Sequence, residues 1–234
     1  MNRTDVHGHF LPGLDDGCRD VGESLICLKA MAGAGYRRVF CTPHCGPEGV
    51  PLERIAREVA LLQEALVATR IPIELRPGGE LGLTPNLPEH ARANGLPTYG
   101  HNSKTMLVDI WEYEWPTWAT RDCEWLLGQG YRVVLAHPER MPSVQEHPAL
   151  LDQLARMGLV FQGNLGPLGG SESQHCRELA ERFLQDGRYF MLGSDAHRKE
   201  TLAVRLAGLR RAEELVGAQT VQALTETNPG TLWV

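Results

Sequence analysis

Short apolar segments of strand length alternate with helix-length segments along almost the whole chain. The first strand-like segment is TDVHGH, and the helix-length segment that follows it, VGESLICLKAMAGAG, ends in glycine. The predicted strands lie at residues 4–9, 36–44, 71–81, 104–110, 131–140, 159–166 and 189–195. Repeated β-α-β units of this kind are typical of a parallel sheet that is buried on both faces. Seven units in 234 residues favour a closed or nearly closed β/α barrel, in one domain over residues 1–234.

Composition and short motifs exclude several classes of function. The net charge of −6 leaves no clustered basic surface for a phosphate backbone, so we expect no nucleic-acid partner. Neither a G-x-G-x-x-G loop nor a P-loop lysine is present, which disfavours dinucleotides and nucleoside triphosphates. No run of about 18 apolar residues occurs, and MNRTDVHGHF is too polar for a signal peptide, so we expect no membrane insertion. Six cysteines without a C-x-x-C pair indicate a reduced, cytoplasmic protein.

Metal-binding side chains stand at the C-terminal end of every predicted strand except the sixth. The first strand ends in His7 and His9, whose alternation places both side chains on one face of the strand. The complete set of candidate ligands is His7, His9, Asp16, His44, Glu80, Asp109, His137, Asp195 and His197. In parallel β/α barrels the C-terminal strand ends build the active site. So many carboxylates and imidazoles at one rim require cations, because buried charge has to be paired or bound to metal.

The ligand types narrow both the metal and the reaction. Histidine and carboxylate without thiolate suit Mn²⁺, Fe²⁺, Zn²⁺ or Mg²⁺, and they disfavour copper and iron–sulfur sites. Nine side chains are too many for one ion but fit two or three. Such a cluster attracts an anion and activates water at neutral pH, so it predicts phosphate-ester hydrolysis. His90, His101, His147 and His175 fall in predicted helices or connections, and we expect them at the surface.

The chain resembles the PHP (polymerase and histidinol phosphatase) superfamily, and within it the CpsB/YwqE-type bacterial tyrosine phosphatases. The segments that carry the resemblance cover almost the whole chain: DVHGHFLPGLDDG, GESLICLKAMAGAGYRRVFCTPH, PGGELGLTP, LVDI, AHPER, QGNLGPLGG and GSDAH. The LPGxDDG part of the first segment is the specific mark of this branch. The resemblance implies a distorted (β/α)7 TIM-like barrel, the PHP fold, with its active site at the C-terminal rim of the strands.

The same resemblance implies three divalent metal ions, with Mn²⁺ as the first choice. Carried over position by position, the three ligand sets would be His7, His9, Glu80 and Asp195; Glu80, Asp109 and His137; and Asp16, His44 and His197. A metal-bound hydroxide would attack phosphorus in line with the leaving tyrosyl oxygen. Arg140 would grip the phosphate, since its planar fork suits phosphoryl oxygens. Arg140, His137 and Asp195 would then be the catalytic residues.

Substrate and partner are expected from the resemblance as well. Relatives of this kind act on autophosphorylated tyrosine clusters of bacterial polysaccharide-assembly kinases, so the partner would be the phosphotyrosine-containing tail of such a kinase. Two alternatives stay open: a PHP phosphatase of a small metabolite such as histidinol phosphate, and a non-catalytic metal-binding regulatory module. A PHP nuclease is less favoured, because the acidic chain offers no basic groove. The oligomeric state is left open.

Three further positions near the candidate ligands admit two interpretations each. Asp5 could orient one histidine ligand, or it could be a polar residue at a strand start. Asp15 could act in the same way on a ligand, or it could stabilise the Pro-Gly loop of the first segment. The stretch GNLGPLGG, residues 163–170, could offer backbone N–H groups to a phosphate, or its glycines could serve a tight turn.

Two departures from the family pattern concern the substrate more than the metals. An arginine usual after the SDAH element is missing, and either Arg198 or Arg205 could replace it. Asp109 stands where glutamate is common, and its shorter arm could weaken or shift the second metal. A third feature, HCGPEGVP, superficially resembles the H-C-x5-R loop of cysteine-based phosphatases. Because Pro51 occupies the arginine position, Cys45 is not expected to be a nucleophile.

Overall fold

Short strands alternate with helices in the computed structural model, which describes residues 2–46, 49–100 and 103–233. The strands are β1 (Arg3–Asp5), β2 (Tyr36–Cys41), β3 (His44–Cys45), β4 (Glu74–Pro77), β5 (Glu80–Gly82), β6 (Thr105–Asp109), β7 (Arg132–Ala136), β8 (Val160–Asn164) and β9 (Tyr189–Gly193). The helices are α1 (Val21–Gly33), α2 (Leu52–Ala68), α3 (Leu87–Asn94), α4 (Thr117–Gly128), α5 (Pro142–Glu146), α6 (Leu150–Met157), α7 (Leu165–Gly169), α8 (Gln174–Gln185), α9 (Lys199–Gln222) and α10 (Asn228–Gly230). A 3₁₀ turn, Pro138–Arg140, precedes α5, and a π-helical turn, Ala223–Thr227, precedes α10.

Every pairing between these strands is parallel, as the β-α alternation predicts. The strand order is β1-β2-β4 in one sheet and β3-β5-β6-β7-β8-β9 in the other. β3 follows β2 after a break at Pro43, and β5 follows β4 after a break at Gly78 and Gly79. Backbone hydrogen bonds cross these breaks, from Gly78 N to Cys41 O at 2.9 Å and from Glu80 N to Pro43 O at 3.1 Å. The strand segments therefore occupy the seven positions that the sequence predicts.

The segments that follow the first and last strands meet beside each other at the C-terminal rim. Gly8, which lies after β1, forms a parallel bridge with Ala196, which lies after β9. Two hydrogen bonds flank this bridge: Asp195 N donates to His7 O at 2.7 Å, and His9 N donates to Ala196 O at 2.8 Å. The parallel α/β fold is confirmed, with a single bridge rather than a continuous ladder between these two ends of the described chain.

Several element boundaries differ from the sequence-based prediction, and three of these differences have a clear local reason. The helix predicted at 143–158 is divided into α5 and α6, because Pro148 cannot donate the backbone hydrogen bond that a continuous helix needs. β7 ends at Ala136, since His137 takes a left-handed backbone conformation and the 3₁₀ turn follows. β8 ends at Asn164, whose side chain accepts a hydrogen bond from Gly166 N and so caps α7.

The strand faces that point inward change from apolar to polar along the strands. Val6, Phe40, Tyr99, Leu107, Val134, Ala136, Met191 and Leu232 form one buried apolar cluster. Trp233 packs edge-on against Phe40, with ring centroids 4.7 Å apart. Residues two apart on a strand share a face, so Asp109 extends the inward face of Leu107 in β6. The apolar cluster therefore lies beneath the polar strand ends.

Other expectations can be compared with the structure directly. All six cysteines are buried and carry free thiols, as small apolar residues would. Burial raises the pKa of Cys45 to about 12, which does not suit a nucleophile. His147 and His175 are exposed and His90 is half-buried, while His101 lies outside the described residues. None of the described helices combines the length and the apolar run needed to cross a bilayer.

Candidate active site

All nine candidate ligands meet at the rim formed by the C-terminal strand ends. Each has a nitrogen or oxygen within 3.9 Å of another member, so they form one connected cluster. Glu80 is central: its Oε2 lies 3.2 Å from His7 Nε2 and 3.1 Å from His44 Nδ1, and its Oε1 lies 3.1 Å from His137 Nε2. Glu80 itself is buried, whereas the side chains of His44 and Asp16 are 49% and 66% exposed. The cluster therefore has a buried floor and one open side.

Hydrogen bonds determine which nitrogens of His7 and His9 face the cluster. His7 Nδ1 lies 2.8 Å from Gln162 Oε1, and His9 Nδ1 lies 2.7 Å from Asp15 Oδ2, so both Nδ1 atoms are donors. The two Nε2 atoms then face each other across 3.3 Å. In neutral imidazoles both Nε2 atoms are acceptors, which cannot hydrogen-bond each other but can share a cation. This arrangement fits metal binding.

Two buried atoms, one on Asp109 and one on His137, are a second indication of metal binding. Asp109 Oδ1 and His137 Nδ1 have no hydrogen-bond partner within the described ranges, and they lie 3.9 Å apart. Buried polar atoms are normally matched, and these two are of the ligand types that divalent cations accept. Burial raises the pKa of the Asp109 carboxyl, which marks the energetic cost of leaving that group unmatched. The side chains present therefore fit a metal at this position.

The geometry divides the candidate ligands into three groups that could each hold an ion. The groups are His9, Asp16, His44 and His197; His7, Glu80 and His137; and His7, His9 and Asp195. They overlap with the sets carried over from the resemblance, with four differences. His7 also joins the group of Glu80 and His137, and Glu80 is absent from the group of His7, His9 and Asp195. His9 also reaches the outer group, and Asp109 stands slightly apart from the group that contains His137. Which residues share which ion remains a prediction.

Burial and opposite charge act against each other in this cluster. Burial would raise the pKa of Glu80, but His7, His137 and His44 outweigh it and hold that pKa well below its ordinary value. Burial would lower the pKa of His137, but Asp109 and Glu80 raise it to about 9. Without cations, protons on imidazoles thus balance the carboxylates. Because metals bind deprotonated groups, cation binding would release those protons.

Three donors hold the carboxylate of Asp195 in one orientation. Its Oδ2 accepts from Arg140 Nη1 at 2.8 Å, from Asn164 Nδ2 at 2.7 Å and from Arg205 Nη1 at 3.3 Å. Its Oδ1 is left facing His7 Nε2 at 3.5 Å. Burial would raise the pKa of Asp195, but its interactions with His7, His9 and the Arg205 guanidinium keep that pKa well below the usual range. Oδ1 is therefore the oxygen of Asp195 that is available to the cluster.

His137 and Asp195 share an uncommon backbone conformation. Their φ angles are 29° and 48°, in the left-handed region that few residues other than glycine adopt. Such conformations cost on the order of 1–3 kcal/mol each, and they persist where the surroundings enforce them, often at functional sites. Both residues lie just beyond a strand, since β7 ends at Ala136 and β9 at Gly193. The sharp turn places both side chains in the cluster.

The two arginines that follow the SDAH element take different positions. Arg205, which is buried in α9, donates from Nη1 to Ser194 O at 2.8 Å as well as to Asp195. Arg198 donates from Nη2 to the backbone oxygen of Asp16 at 3.0 Å, at the outer edge of the site. Arg205 therefore supports the segment that carries Asp195, whereas Arg198 supports the loop that carries Asp16.

Three functional neighbours escape the sequence-based prediction. Gln162 and Asn164 of β8 hydrogen-bond His7 and Asp195, although no candidate ligand was expected from the sixth strand. The buried Glu139 accepts from Asn164 N at 2.8 Å and thereby fixes the end of that strand. The available signal was the alternation of two polar side chains along a buried strand, in FQGN, which places both on one face.

Asp5 and Asp15, for which the sequence allowed two interpretations each, differ in the residues that they contact. Asp5 accepts from Ser194 Oγ at 2.6 Å and from Ser194 N at 2.9 Å, so it joins the ends of β1 and β9. The structure favours the interpretation of Asp5 as a polar residue of the strand, because among the described residues no histidine ring nitrogen is hydrogen-bonded to its carboxylate, which reaches His7 only at the backbone N, at 3.5 Å. Asp15 combines both suggested roles, since it accepts from His9 Nδ1, from Gly17 N and from His44 N.

Close helix packing explains one glycine of residues 163–170, Gly169, together with Gly208 of α9. A Cβ on Gly169 would lie 2.0 Å from Val204 O, and a Cβ on Gly208 would lie 2.0 Å from Leu165 O. Glycine at both positions therefore lets α7 and α9 approach each other at backbone distance. This contact seats α9, and with it Arg205, against the segment that ends in Asn164.

Replacing Asp15 with asparagine should weaken the site without unfolding the protein. Asparagine lacks the charge that holds His9 with Nδ1 protonated, and changes at such supporting residues typically cost about 10- to 100-fold in metal affinity or activity. The measurement is a calorimetric titration with Mn²⁺. Asp186→Asn, at an exposed position after α8, is the matched control. An Mn²⁺ affinity within twofold of that control would contradict the orienting role of Asp15.

Comparisons with known proteins agree with this geometry. A family model described as "Capsular polysaccharide synthesis, CpsB/CapC" matches residues 3–233. Tyrosine-protein phosphatase YwqE of Bacillus subtilis is 29% identical over 199 residues, which are 84% of this chain and 78% of the relative. Tyrosine-protein phosphatase CpsB of Streptococcus agalactiae serotype III is 24% identical over 220 residues, or 91% of this chain and 88% of the relative.

A solved structure extends the comparison to three dimensions. It belongs to a study of YwqE from Bacillus subtilis and CpsB from Streptococcus pneumoniae, which are described as unique metal-dependent tyrosine phosphatases. The match has a TM-score of 0.89 and 26% sequence identity, and it covers 98% of this chain and 94% of the other. Together with the family model, which spans nearly every residue, this match means that the chain belongs to the CpsB/CapC family.

Proposed function

We propose that this chain is a single-domain, metal-dependent protein-tyrosine phosphatase that acts on the phosphotyrosine-containing tail of a bacterial polysaccharide-assembly tyrosine kinase. The observation that carries the proposal is the cluster in which Glu80 joins His7, His44 and His137, with Arg140 beside Asp195. Similar proteins are named tyrosine phosphatases, and those of the matching structure are described as metal-dependent. The connection of the family with capsule synthesis supports a kinase partner of this kind.

Divalent ions are part of this proposal, three in number, with Mn²⁺ first and Fe²⁺, Zn²⁺ or Mg²⁺ as alternatives. The residues that would hold them are His7, His9, Asp16, His44, Glu80, Asp109, His137, Asp195 and His197. Bound there, such ions supply charge neutralisation for the phosphate and lower the pKa of the attacking water. The arrangement of the protein's own donors determines where the phosphate can sit.

Arg140 is the residue proposed to bind the phosphate. Its side chain is 22% exposed and stands between the buried floor of the cluster and solvent. Nη1 is held by Asp195 at 2.8 Å, whereas Nε is buried without a hydrogen bond in the described structure, 3.6 Å from Glu172 Oε1. A guanidinium fixed at one end can direct its remaining N–H groups to two phosphate oxygens.

The open side of the cluster suits a substrate on a flexible tail. His44 and Asp16 are largely exposed at this side, so a phosphorylated side chain can approach the cluster from solvent there. A tyrosyl phosphate projects farther from its backbone than a serine or threonine phosphate. It can therefore reach past this rim to Arg140, while the peptide stays outside.

The test is phosphate release from a phosphotyrosyl peptide and, in parallel, from histidinol phosphate. The protein is stripped with a chelator and then resupplied with Mn²⁺, and both substrates are assayed before and after. We expect release from the peptide that is lost on stripping and restored by Mn²⁺. Release from histidinol phosphate alone would replace the proposal by the metabolite phosphatase, and no release from either by the regulatory module.

A further inference from the structure

Exposed aromatic side chains stand in the loop between β6 and α4, directly beside the cluster. Trp111 is 54% exposed and Tyr113 is 81% exposed, and Glu112 and Glu114 around them are exposed as well. Single exposed apolar side chains are common on protein surfaces, so the contacts of Trp111 decide what it can do. Trp111 immediately follows Ile110, the residue after Asp109, so β6 fixes its position relative to the cluster.

Trp111 lies against Arg140, the residue proposed to bind the phosphate, and against the candidate metal ligand His137. Its ring centroid is 6.1 Å from that of His137, with the ring planes inclined by 43°. The guanidinium carbon of Arg140 lies 5.3 Å from the Trp111 ring centroid, within the range of a cation–π contact. Trp111 therefore covers part of His137 and Arg140, and about half of its own surface faces solvent.

We propose that Trp111 is a specificity-determining residue that packs against the aryl ring of a phosphotyrosine whose phosphate is bound at Arg140. This inference rests on the proposed function and deepens it, since it explains how an aryl phosphate is preferred to an alkyl phosphate. In phosphotyrosine one oxygen separates phosphorus from the ring. A phosphate held beside Arg140 and His137 therefore brings the ring to the height of Trp111. Phosphoserine and phosphothreonine have no ring at that distance.

Packing of the Trp111 ring against the ring of phosphotyrosine would favour this substrate over phosphates without a ring. Aromatic rings attract each other in offset or edge-to-face arrangements beyond the area that they bury. Val67, another exposed apolar side chain, lies near the end of α2, before β4 begins. Since β4 and β5 carry the chain to Glu80 at the opposite end, Val67 stands far from the open side of the site.

The experiment compares two ligands that differ only in the ring, phenylphosphonate and methylphosphonate. Both are titrated calorimetrically into the Mn²⁺-loaded protein, so the readout does not depend on turnover. We expect wild type to bind phenylphosphonate more tightly. Trp111→Ala should weaken phenylphosphonate about three- to tenfold and leave methylphosphonate unchanged, as expected for the loss of one aromatic pair. Trp111→Phe should keep most of the preference, and Val67→Ala should match wild type.

Two outcomes would overturn the inference while the proposed function stands. Equal weakening of both ligands in Trp111→Ala would mean that Trp111 merely orients Arg140, and unchanged binding of both would mean that it does neither. The proposed function is judged separately, by Mn²⁺-dependent phosphate release from a phosphotyrosyl peptide by wild type. In that assay the fall in kcat/KM for Trp111→Ala should be confined to the phosphotyrosyl peptide, and a phosphoseryl peptide of the same sequence should be unaffected.

Discussion

Changing His137 to alanine should lower phosphate release from a phosphotyrosyl peptide by about three orders of magnitude, because several kcal/mol of metal-assisted charge stabilisation correspond to a factor of roughly 10³. His137 is the residue that connects Glu80 to Asp109: its Nε2 lies 3.1 Å from Glu80 Oε1 and its Nδ1 lies 3.9 Å from Asp109 Oδ1. Without it, Asp109 has no imidazole to share a cation with. The candidate metal site formed by Glu80, Asp109 and His137 would then lose its histidine ligand.

We expect His137→Ala to fold, and a second variant, His137→Asn, shows whether lost activity is caused by lost stability. His137 has a φ of 29°, which alanine tolerates poorly and asparagine tolerates better. His137→Asn should therefore match His137→Ala in lost activity and exceed it in thermal stability, as measured by phosphate release and circular dichroism. His147→Ala, at an exposed position, is the control. Activity within tenfold of wild type in either His137 variant would remove His137 from the site.

The parallel arrangement could be predicted because its cause is local. A strand that is buried on both faces consists almost entirely of apolar side chains, as VVLA in β7 does, and the intervening helices are long enough to cross over. The ends of these elements were less predictable. The turn at His137 depends on a left-handed conformation that no neighbouring residue requires, and the division between α5 and α6 depends on Pro148.

The candidate ligands could be located because each lies at or after the C-terminal end of a predicted strand, and the C-terminal ends of parallel strands meet at one rim. Their partners could not be located in this way. Asp5 bonds Ser194, which is 189 positions away, and Gln162 reaches His7 over 155 positions. These contacts depend on how the last two strands stand beside the first, which no local pattern in the sequence encodes. A local sequence pattern can therefore locate a metal ligand, but the contacts that orient that ligand depend on the tertiary structure.

Two variants of Arg140 separate the effect of its positive charge from the effect of its planar geometry. Arg140→Ala should reduce kcat/KM for a phosphotyrosyl peptide by about 10²- to 10³-fold, the range seen when one preorganised donor to a developing charge is removed. Arg140→Lys keeps the positive charge but loses the planar fork, so that it cannot hold Asp195 and bind phosphate at the same time. We therefore expect lysine to restore only a small part of the lost activity.

Competitive inhibition by inorganic phosphate locates this effect in the binding of the phosphoryl group. If Arg140 binds phosphate, Arg140→Ala should raise the inhibition constant of inorganic phosphate as well as lower kcat/KM. Arg188 is the matched control, because it precedes β9 at the opposite end from the cluster and pairs with Asp152 at 2.6 Å near the surface. Arg188→Ala should change neither quantity. An Arg140→Ala variant that loses activity with an unchanged phosphate inhibition constant would assign Arg140 to holding Asp195. In that case Arg205, the other arginine on the same carboxylate oxygen, would be the next residue to vary.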